Sequence, residues 1–145
     1  WRTVTIGDKA EGERTIPLTP YLAQRLWGLP KRNEFVFSSP TSASGRVTDL
    51  YRAHKRAVEA AGLPPVTPHG LRRSFGTLSE WVECPVGVVA QIQGHKPSAI
   101  AEKHYRQRPL DLLRQWHTKI EGFMLNEAGI EQPSDERNTE KIKAV

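Results

Sequence analysis

The sequence has little of what marks several common classes of protein. Its 145 residues include a single cysteine, Cys84, so no disulfide can form within the chain. This fits a reducing compartment and predicts a cytoplasmic protein. No apolar run approaches the roughly 20 residues that a membrane-spanning helix needs, and no signal peptide is visible. The chain begins at Trp1 rather than Met, and we therefore expect it to be a piece of a longer protein.

Positive charge is what the sequence has in excess. Twenty-one Lys and Arg residues face sixteen Asp and Glu residues, a formal net charge of +5. The last fifteen residues, EQPSDERNTEKIKAV, carry four acidic and three basic side chains, so the rest of the chain holds +6. A basic body suggests a polyanionic partner without proving one. The hydrophobic share of 37% and the four tryptophans predict a folded domain, with the tryptophans supplying core.

The pattern along the chain predicts a mainly helical domain with one small antiparallel sheet, the α+β class. Two short strands are predicted at residues 4–6 and 14–18, around a turn rich in Gly, Asp and Lys. Prolines and glycines punctuate the rest and mark helix starts and stops. The predicted helices cover about 20–27, 48–61, 67–82, 85–93, a short stretch around residue 105, and 109–128.

The segment TPHGLRRSFG, residues 67–76, opens a helix with a histidine and two arginines. Cations are poorly placed at the positive end of a helix dipole, so an anion is expected there. Arg72 flanks the apolar stripe of this helix, which predicts a half-buried guanidinium held by packing and suited to bidentate phosphate binding. Arg73 and His69 point nearly opposite, and for Arg73 solvent exposure is the favoured interpretation. The stripe itself is predicted to consist of Leu71, Phe75, Leu78 and Val82.

A second segment, IQGHKPSAIAEKHYRQR at residues 92–108, places a histidine at a corner and a tyrosine among cations. Gly94 ends one helix, His95 follows it, and Tyr105 lies among Lys103, Arg106 and Arg108. A tyrosine surrounded by cations ionises more readily, which activates a weak oxygen nucleophile. Taken alone, a half-buried structural tyrosine remains the favoured interpretation.

Taken together, the two segments resemble the catalytic core of the tyrosine recombinases, the phage-integrase family. HGLRR, then GHK, then a tyrosine ten residues after the histidine carry the resemblance, which spans roughly residues 1–130. The hairpin matches as well, since RTIPL follows a turn that holds Lys9. The resemblance implies a catalytic domain over 1–130, lacking its N-terminal portion. The polar composition of residues 131–145 predicts a flexible tail.

The resemblance also implies a site-specific recombinase that cuts and rejoins DNA through a 3′-phosphotyrosyl intermediate, with no metal or cofactor. Tyr105 would attack the phosphate, Arg72 would neutralise its oxygens, His69 and His95 would donate hydrogen bonds to it, and Lys9 would protonate the leaving 5′-oxygen. The partners expected are double-stranded DNA and, in the full-length protein, further copies in a dimer or tetramer on DNA. The candidate DNA contacts are Arg73, Lys96, Lys103, His104, Arg106, Arg52, Lys55 and Arg56.

Two features depart from the family pattern. The family's first catalytic arginine lies upstream of the hairpin, and the strand residues Arg2 and Arg14 are poor substitutes, so we expect weak or no activity from this chain alone. The ten residues from His95 to Tyr105 are also one more than the commoner family spacing.

Three other functions compete with recombination. A DNA-binding module without catalysis would use the same basic segments to grip phosphates. A type IB topoisomerase would share the chemistry. A metal-dependent nuclease using His69, His95 and His104 is weaker, because no carboxylate or cysteine stands beside them at metal-ligand spacing. Outside these motifs, His54 and His117 are predicted to be structural or exposed, and Cys84 to be buried rather than reactive.

Overall fold

The computed structural model describes residues 3–8, 12–95 and 108–131. In these ranges two strands precede five helices, which confirms the mainly α class with a small antiparallel sheet. No helix in this part of the chain is long and apolar enough to cross a membrane. The elements are β1 (Thr3–Asp8), β2 (Gly12–Pro17), α1 (Pro20–Trp27), α2 (Tyr51–Ala60), α3 (Pro68–Glu80), α4 (Val86–Gln93) and α5 (Leu110–Glu127).

The hairpin is longer than the sequence pattern predicted. β1 and β2 pair antiparallel from Thr3 opposite Pro17 to Asp8 opposite Gly12. Gly12 has a φ of +83°, a conformation that glycine adopts at little cost where the second strand begins. The turn that holds Lys9 lies outside the described residues. The predicted position of the hairpin is therefore confirmed, while its strands extend beyond the residues with β-forming side chains.

The chain divides into two compact units, the first formed by residues 1–24 and 75–145 and the second by residues 25–74. The first unit holds the hydrophobic core, to which α4 and α5 contribute most of the side chains. Around it pack four partly buried residues, Phe75, Trp116, Phe123 and Met124. The buried core cluster consists of Val82, Cys84, Val88, Val89, Ile92, Leu113 and Ile120.

His117 on α5 connects three elements of the first unit. Its Nδ1 donates to the carbonyl oxygen of Pro17 at 3.0 Å, and its ring meets Phe75 edge to face at 5.7 Å. Burial lowers the pKa of His117, although the bond to Pro17 and the charge of Glu121 act in the opposite direction. The prediction of a structural histidine is confirmed, and the neutral ring joins β2, α3 and α5.

Glu121 caps the start of α1 from a position about 100 residues away. Its carboxylate accepts hydrogen bonds from the backbone N–H groups of Tyr21 at 3.0 Å and Leu22 at 3.1 Å, and from the hydroxyl of buried Thr19. These N–H groups have no partner inside a helix, and a negative charge there complements the helix dipole. Thr19 still accepts the first helical bond through its carbonyl, from the N–H of Ala23 at 2.8 Å.

The prediction that the tryptophans supply the core is wrong for two of them. Trp27 is 77% exposed and Trp81 is 72% exposed. Each keeps one partner: the ammonium of Lys31 lies 4.0 Å from the ring centre of Trp27, and Trp81 stacks on Phe123 at 6.5 Å. Trp116 alone of the described tryptophans packs against the core, whose buried cluster consists of Val, Ile and Leu side chains and Cys84.

The second unit contains no buried residue, although every residue from 25 to 74 is described. α2 is shorter than predicted, and apolar side chains in and beside it are exposed: Leu50, just before the helix, is 63% exposed, and Ala57 is exposed as well. Its most specific contact is polar. Nε2 of half-buried His54 donates to the carbonyl oxygen of Val66 at 2.7 Å, which fixes the chain just before α3.

Candidate functional site

α3 starts where the sequence predicted a helix, and Thr67 caps it. The hydroxyl of Thr67 accepts a hydrogen bond from the N–H of Gly70 at 3.0 Å, and its carbonyl accepts the N–H of Leu71 at 2.9 Å. Pro68 occupies the first helical position, where a missing N–H costs nothing. No acidic side chain lies in this first turn. The positive end of the helix dipole is therefore not neutralised by a carboxylate of its own first turn.

Arg72 and Arg73 differ in burial in the predicted sense. Arg72 is half-buried, whereas Arg73 and His69 are exposed. The buried stripe is only partly as predicted, because Leu71 is 51% exposed and the helix ends at Glu80, before buried Val82. Leu71 lies in the second unit, which has no buried residue against which it could pack. The second unit thus brings His69, Arg72 and Arg73 together on the first turns of α3.

The basic residues of α2 form one exposed face, at positions 52, 55 and 56. Acidic neighbours partly neutralise it. Arg52 lies 3.8 Å from Asp49, and Lys55 lies 3.8 Å from Glu59, in pairs whose side chains are all more than half exposed. Exposed pairs of this kind are worth little, so a phosphate could exchange with the carboxylates at small cost. Arg56 shares this exposed face.

His95 occupies the corner that follows α4, in the first unit. Gly94 takes the left-handed conformation, with a φ of +67°, and ends the helix as predicted. The N–H of His95 donates to the carbonyl of Ala90 at 2.8 Å, and that of Gly94 donates to Gln91 at 3.2 Å. These two bonds form the glycine-dependent motif that commonly closes helices. The backbone of His95 is therefore fixed, while its side chain is exposed.

Arg14 reaches the same corner from β2, a contact that the sequence did not reveal. Its Nη1 donates to the carbonyl oxygen of Ile92 at 3.3 Å. Its guanidinium lies against Gly94 so closely that a Cβ at that position would overlap it. No sequence periodicity relates a strand arginine to a helix end 78 positions away. The contact could have been suspected only from the glycine, which leaves room for a neighbouring group.

Arg108, which the sequence grouped with the cations around Tyr105, lies along α4. Gln91 brackets its backbone: the side-chain amide donates to the carbonyl of Arg108 at 3.1 Å, and the side-chain oxygen accepts the N–H of Arg108 at 3.2 Å. The guanidinium of Arg108 lies against Gly87, where a Cβ would overlap it. This arginine therefore packs on α4.

Several predicted site residues lie outside the described residues. They are the candidate nucleophile Tyr105, the candidate acid Lys9, and the candidate DNA contacts Lys96, Lys103, His104 and Arg106. Among the residues that the structure describes, no three His, Cys, Asp or Glu side chains cluster closely enough to hold a metal ion.

Two comparisons place the chain among known proteins. Residues 2–109 match the family model described as the phage integrase family. The chain is 58% identical over 137 residues to the prophage integrase IntF of Escherichia coli (strain K12), an alignment that covers 90% of this chain and 29% of that protein. The chain thus spans less than a third of the length of this relative. No solved structure matched. Since the family model covers most of the chain, the protein belongs to the phage integrase family.

Proposed function

We propose that this chain is part of the catalytic domain of a tyrosine recombinase that cuts and rejoins double-stranded DNA at a specific site. Membership of the phage integrase family is the observation that carries the proposal. The half-buried Arg72 and the fixed corner at His95 support it, because both suit the binding of a phosphate group. The full-length protein would assemble as a dimer or tetramer on DNA.

In the proposed reaction the phenol oxygen of Tyr105 attacks the phosphorus of the scissile phosphodiester. A bond forms between that oxygen and phosphorus, the bond to the 5′-oxygen breaks, and Lys9 supplies the proton that the leaving oxygen takes up. A histidine, His69 or His95, accepts the proton of the tyrosine. Attack by a 5′-hydroxyl on the phosphotyrosyl bond reverses the sequence and rejoins a strand, so the number of phosphodiester bonds is conserved.

Arg72 acts on the charge that shifts in the transition state. As the tyrosine oxygen approaches, negative charge builds on the non-bridging oxygens, and a guanidinium already in place stabilises it without rearrangement. A planar fork held by packing is suited to two parallel bonds, which a lysine could not provide. The half-buried state of Arg72, against the exposed Arg73, is what supports assigning this role to Arg72.

Replacement of Tyr105 by phenylalanine in the full-length protein tests the proposal. We expect Y105F to form no covalent adduct on a nicked DNA substrate in a denaturing gel. Duplex affinity should stay within a few-fold, because only the nucleophilic oxygen is lost and phosphate contacts dominate affinity. A surviving adduct would show that another residue is the nucleophile.

The same experiment separates the competing functions. A DNA-binding module without catalysis would use the exposed basic face of α2. In that case neither the unmodified protein nor Y105F forms an adduct, and the two bind DNA equally. A metal-dependent nuclease cuts without an adduct and stops when a chelator is added. We expect the 145-residue chain alone to form little adduct, because the resemblance places a further phosphate-binding arginine upstream of the hairpin.

A further inference from the structure

The end of α4 uses a side chain from the hairpin to complete its hydrogen bonding. The last four carbonyl groups of any helix lack partners within it. In α4 the carbonyls of Ala90 and Gln91 are taken by the backbone of the corner, and the carbonyl of Ile92 is taken by Arg14. A positive guanidinium at this end also complements the negative pole of the helix dipole. Arg14 is therefore part of the structure that ends α4.

Arg14 is itself held in place by the first unit. It lies on β2 opposite Ile6, and β2 ends at buried Pro17, whose carbonyl is bound by His117 of α5. The side chain is half-buried, and its Nε is shielded from solvent. The strand that carries Arg14 is thus anchored to the core, and the arginine extends that anchorage to the corner after α4.

Gly94 is the surface on which the guanidinium rests. Two separate features exclude a larger residue at this position: the left-handed backbone, and the space that a Cβ would need, which Arg14 fills. His95 is the next residue, and its N–H is bound to Ala90. A shift of the corner therefore moves the imidazole of His95 directly.

We propose that Arg14 is a positioning residue for His95: it clamps the corner of Gly94 from the hairpin and sets where the imidazole meets the scissile phosphate. This inference rests on the proposed function, in which His95 binds that phosphate. Arg14 itself does not touch DNA. A loosened corner would displace the imidazole. A displacement of about 1 Å at a reacting group costs on the order of 100-fold in rate.

The first test measures adduct formation by the full-length protein at saturating nicked DNA. We expect R14A to slow the reaction about 10–100-fold with DNA affinity within about threefold, and R14K to fall between R14A and the unmodified protein. R114A is the matched control. Arg114 is a half-buried arginine of the same unit, and its Nη1 lies 2.8 Å from the carboxylate of Asp111 on the same helix. We expect R114A to react at the normal rate.

The second test combines R14A with H95A. If Arg14 acts through His95, the double variant reacts about as slowly as H95A alone, because nothing remains to be positioned. The proposal is overturned if the rate losses of R14A and H95A multiply fully in the double variant. It is also overturned if R14A loses DNA affinity while its rate at saturating DNA is unchanged, because Arg14 would then be a DNA contact. If R14A does not fold, R14K is judged by the same criteria.

Amide hydrogen exchange at His95 supplies a readout without DNA. We expect R14A to speed exchange at this amide relative to amides of α5, and R114A to leave it unchanged. An unchanged exchange rate at the His95 amide in R14A would overturn the proposal that Arg14 holds the corner. If the unmodified protein forms no adduct, the proposed function fails, and the exchange rate alone then decides whether Arg14 holds the corner.

Discussion

The two units of the chain differ in what holds their helices. In the first unit, α4 and α5 bury aliphatic side chains against each other, and polar groups such as Glu121 and His117 tie the hairpin and α1 to them. In the second unit no residue is buried, and α2 is held by exposed ion pairs and by the bond from His54 to Val66. Helices without buried contacts open at lower free energy than helices in a core.

This difference bears on the proposed site because α3 belongs to both units. Its second half packs Phe75 against the core and buries Ser79, whose hydroxyl donates to the carbonyl of Gly76 at 2.6 Å. Its first half carries His69 and Arg72 and begins at the Thr67 cap. Arg72 therefore lies in the half of α3 that belongs to the unit without a buried residue.

The largest effect on stability is expected from matched leucine deletions in the two units. L113A removes a side chain that is 1% exposed and should lower the free energy of unfolding by about 3–5 kcal/mol. L71A removes one that is 51% exposed and should cost less than about 1 kcal/mol. Urea denaturation followed by circular dichroism measures both. Equal losses would mean that the second unit depends on apolar packing as much as the first.

Replacing Arg72 should slow adduct formation far more than replacing Arg73. R72A removes the half-buried guanidinium and should slow adduct formation by about 10²–10³-fold at saturating DNA. R73A should leave that rate nearly unchanged and weaken binding instead, with a smaller dependence on salt. Denaturing gels and binding titrations at two salt concentrations separate the two effects. Comparable rate losses would contradict the assignment that rests on the burial of Arg72.

Two glutamates offer a smaller and more local contrast. E121Q removes the charge that caps α1 and should lower the free energy of unfolding by about 1–2 kcal/mol, because hydrogen bonds to a charged group are lost. E59Q removes an exposed partner of Lys55 and should change the free energy of unfolding by no more than about 0.5 kcal/mol. Urea midpoints of the two variants give the comparison. A cost for E59Q as large as that for E121Q would show that α2 relies on its ion pairs.

The pH dependence of stability should show the neutral state of His117. Because burial lowers its pKa below the ordinary 6.5, the unfolded chain binds a proton in the interval between the two values while the folded chain does not. Stability from this group is therefore present above pH 6.5 and falls as the pH drops through that interval. Urea titrations at several pH values should show a shallower slope for H117N, whose amide can still donate to Pro17. An unchanged slope would assign the effect to other groups.

Local signals in the sequence predicted the elements well. The predicted starts of α3 and α4 and the predicted stop at Gly94 are confirmed, because the signals that begin and end a helix act within one turn. The different burial of Arg72 and Arg73 followed from helical spacing alone. The stripe was wrong at Leu71, because periodicity gives the side of a helix on which a residue lies and not whether another element covers that side.

Contacts between distant positions could not be predicted in the same way. The carboxylate of Glu121 caps a helix about 100 residues earlier, and Arg14 closes one 78 positions later. Neither contact follows from propensity or period, since each depends on how helices pack after folding. The tryptophans show the same limit, because hydrophobicity favours burial but the available core space decides which residues obtain it.

The burial of Cys84 has a practical consequence for fluorescence labelling. Its side chain is buried, and burial raises the pKa of the thiol despite the nearby charges of Lys119 and Arg108, so the reactive thiolate is scarce at neutral pH. A second cysteine introduced on the surface, for example by R73C, would then be alkylated first by a maleimide dye. The native sulfhydryl could stay in place, and fluorescence from α3 would report on events at the helix that carries Arg72.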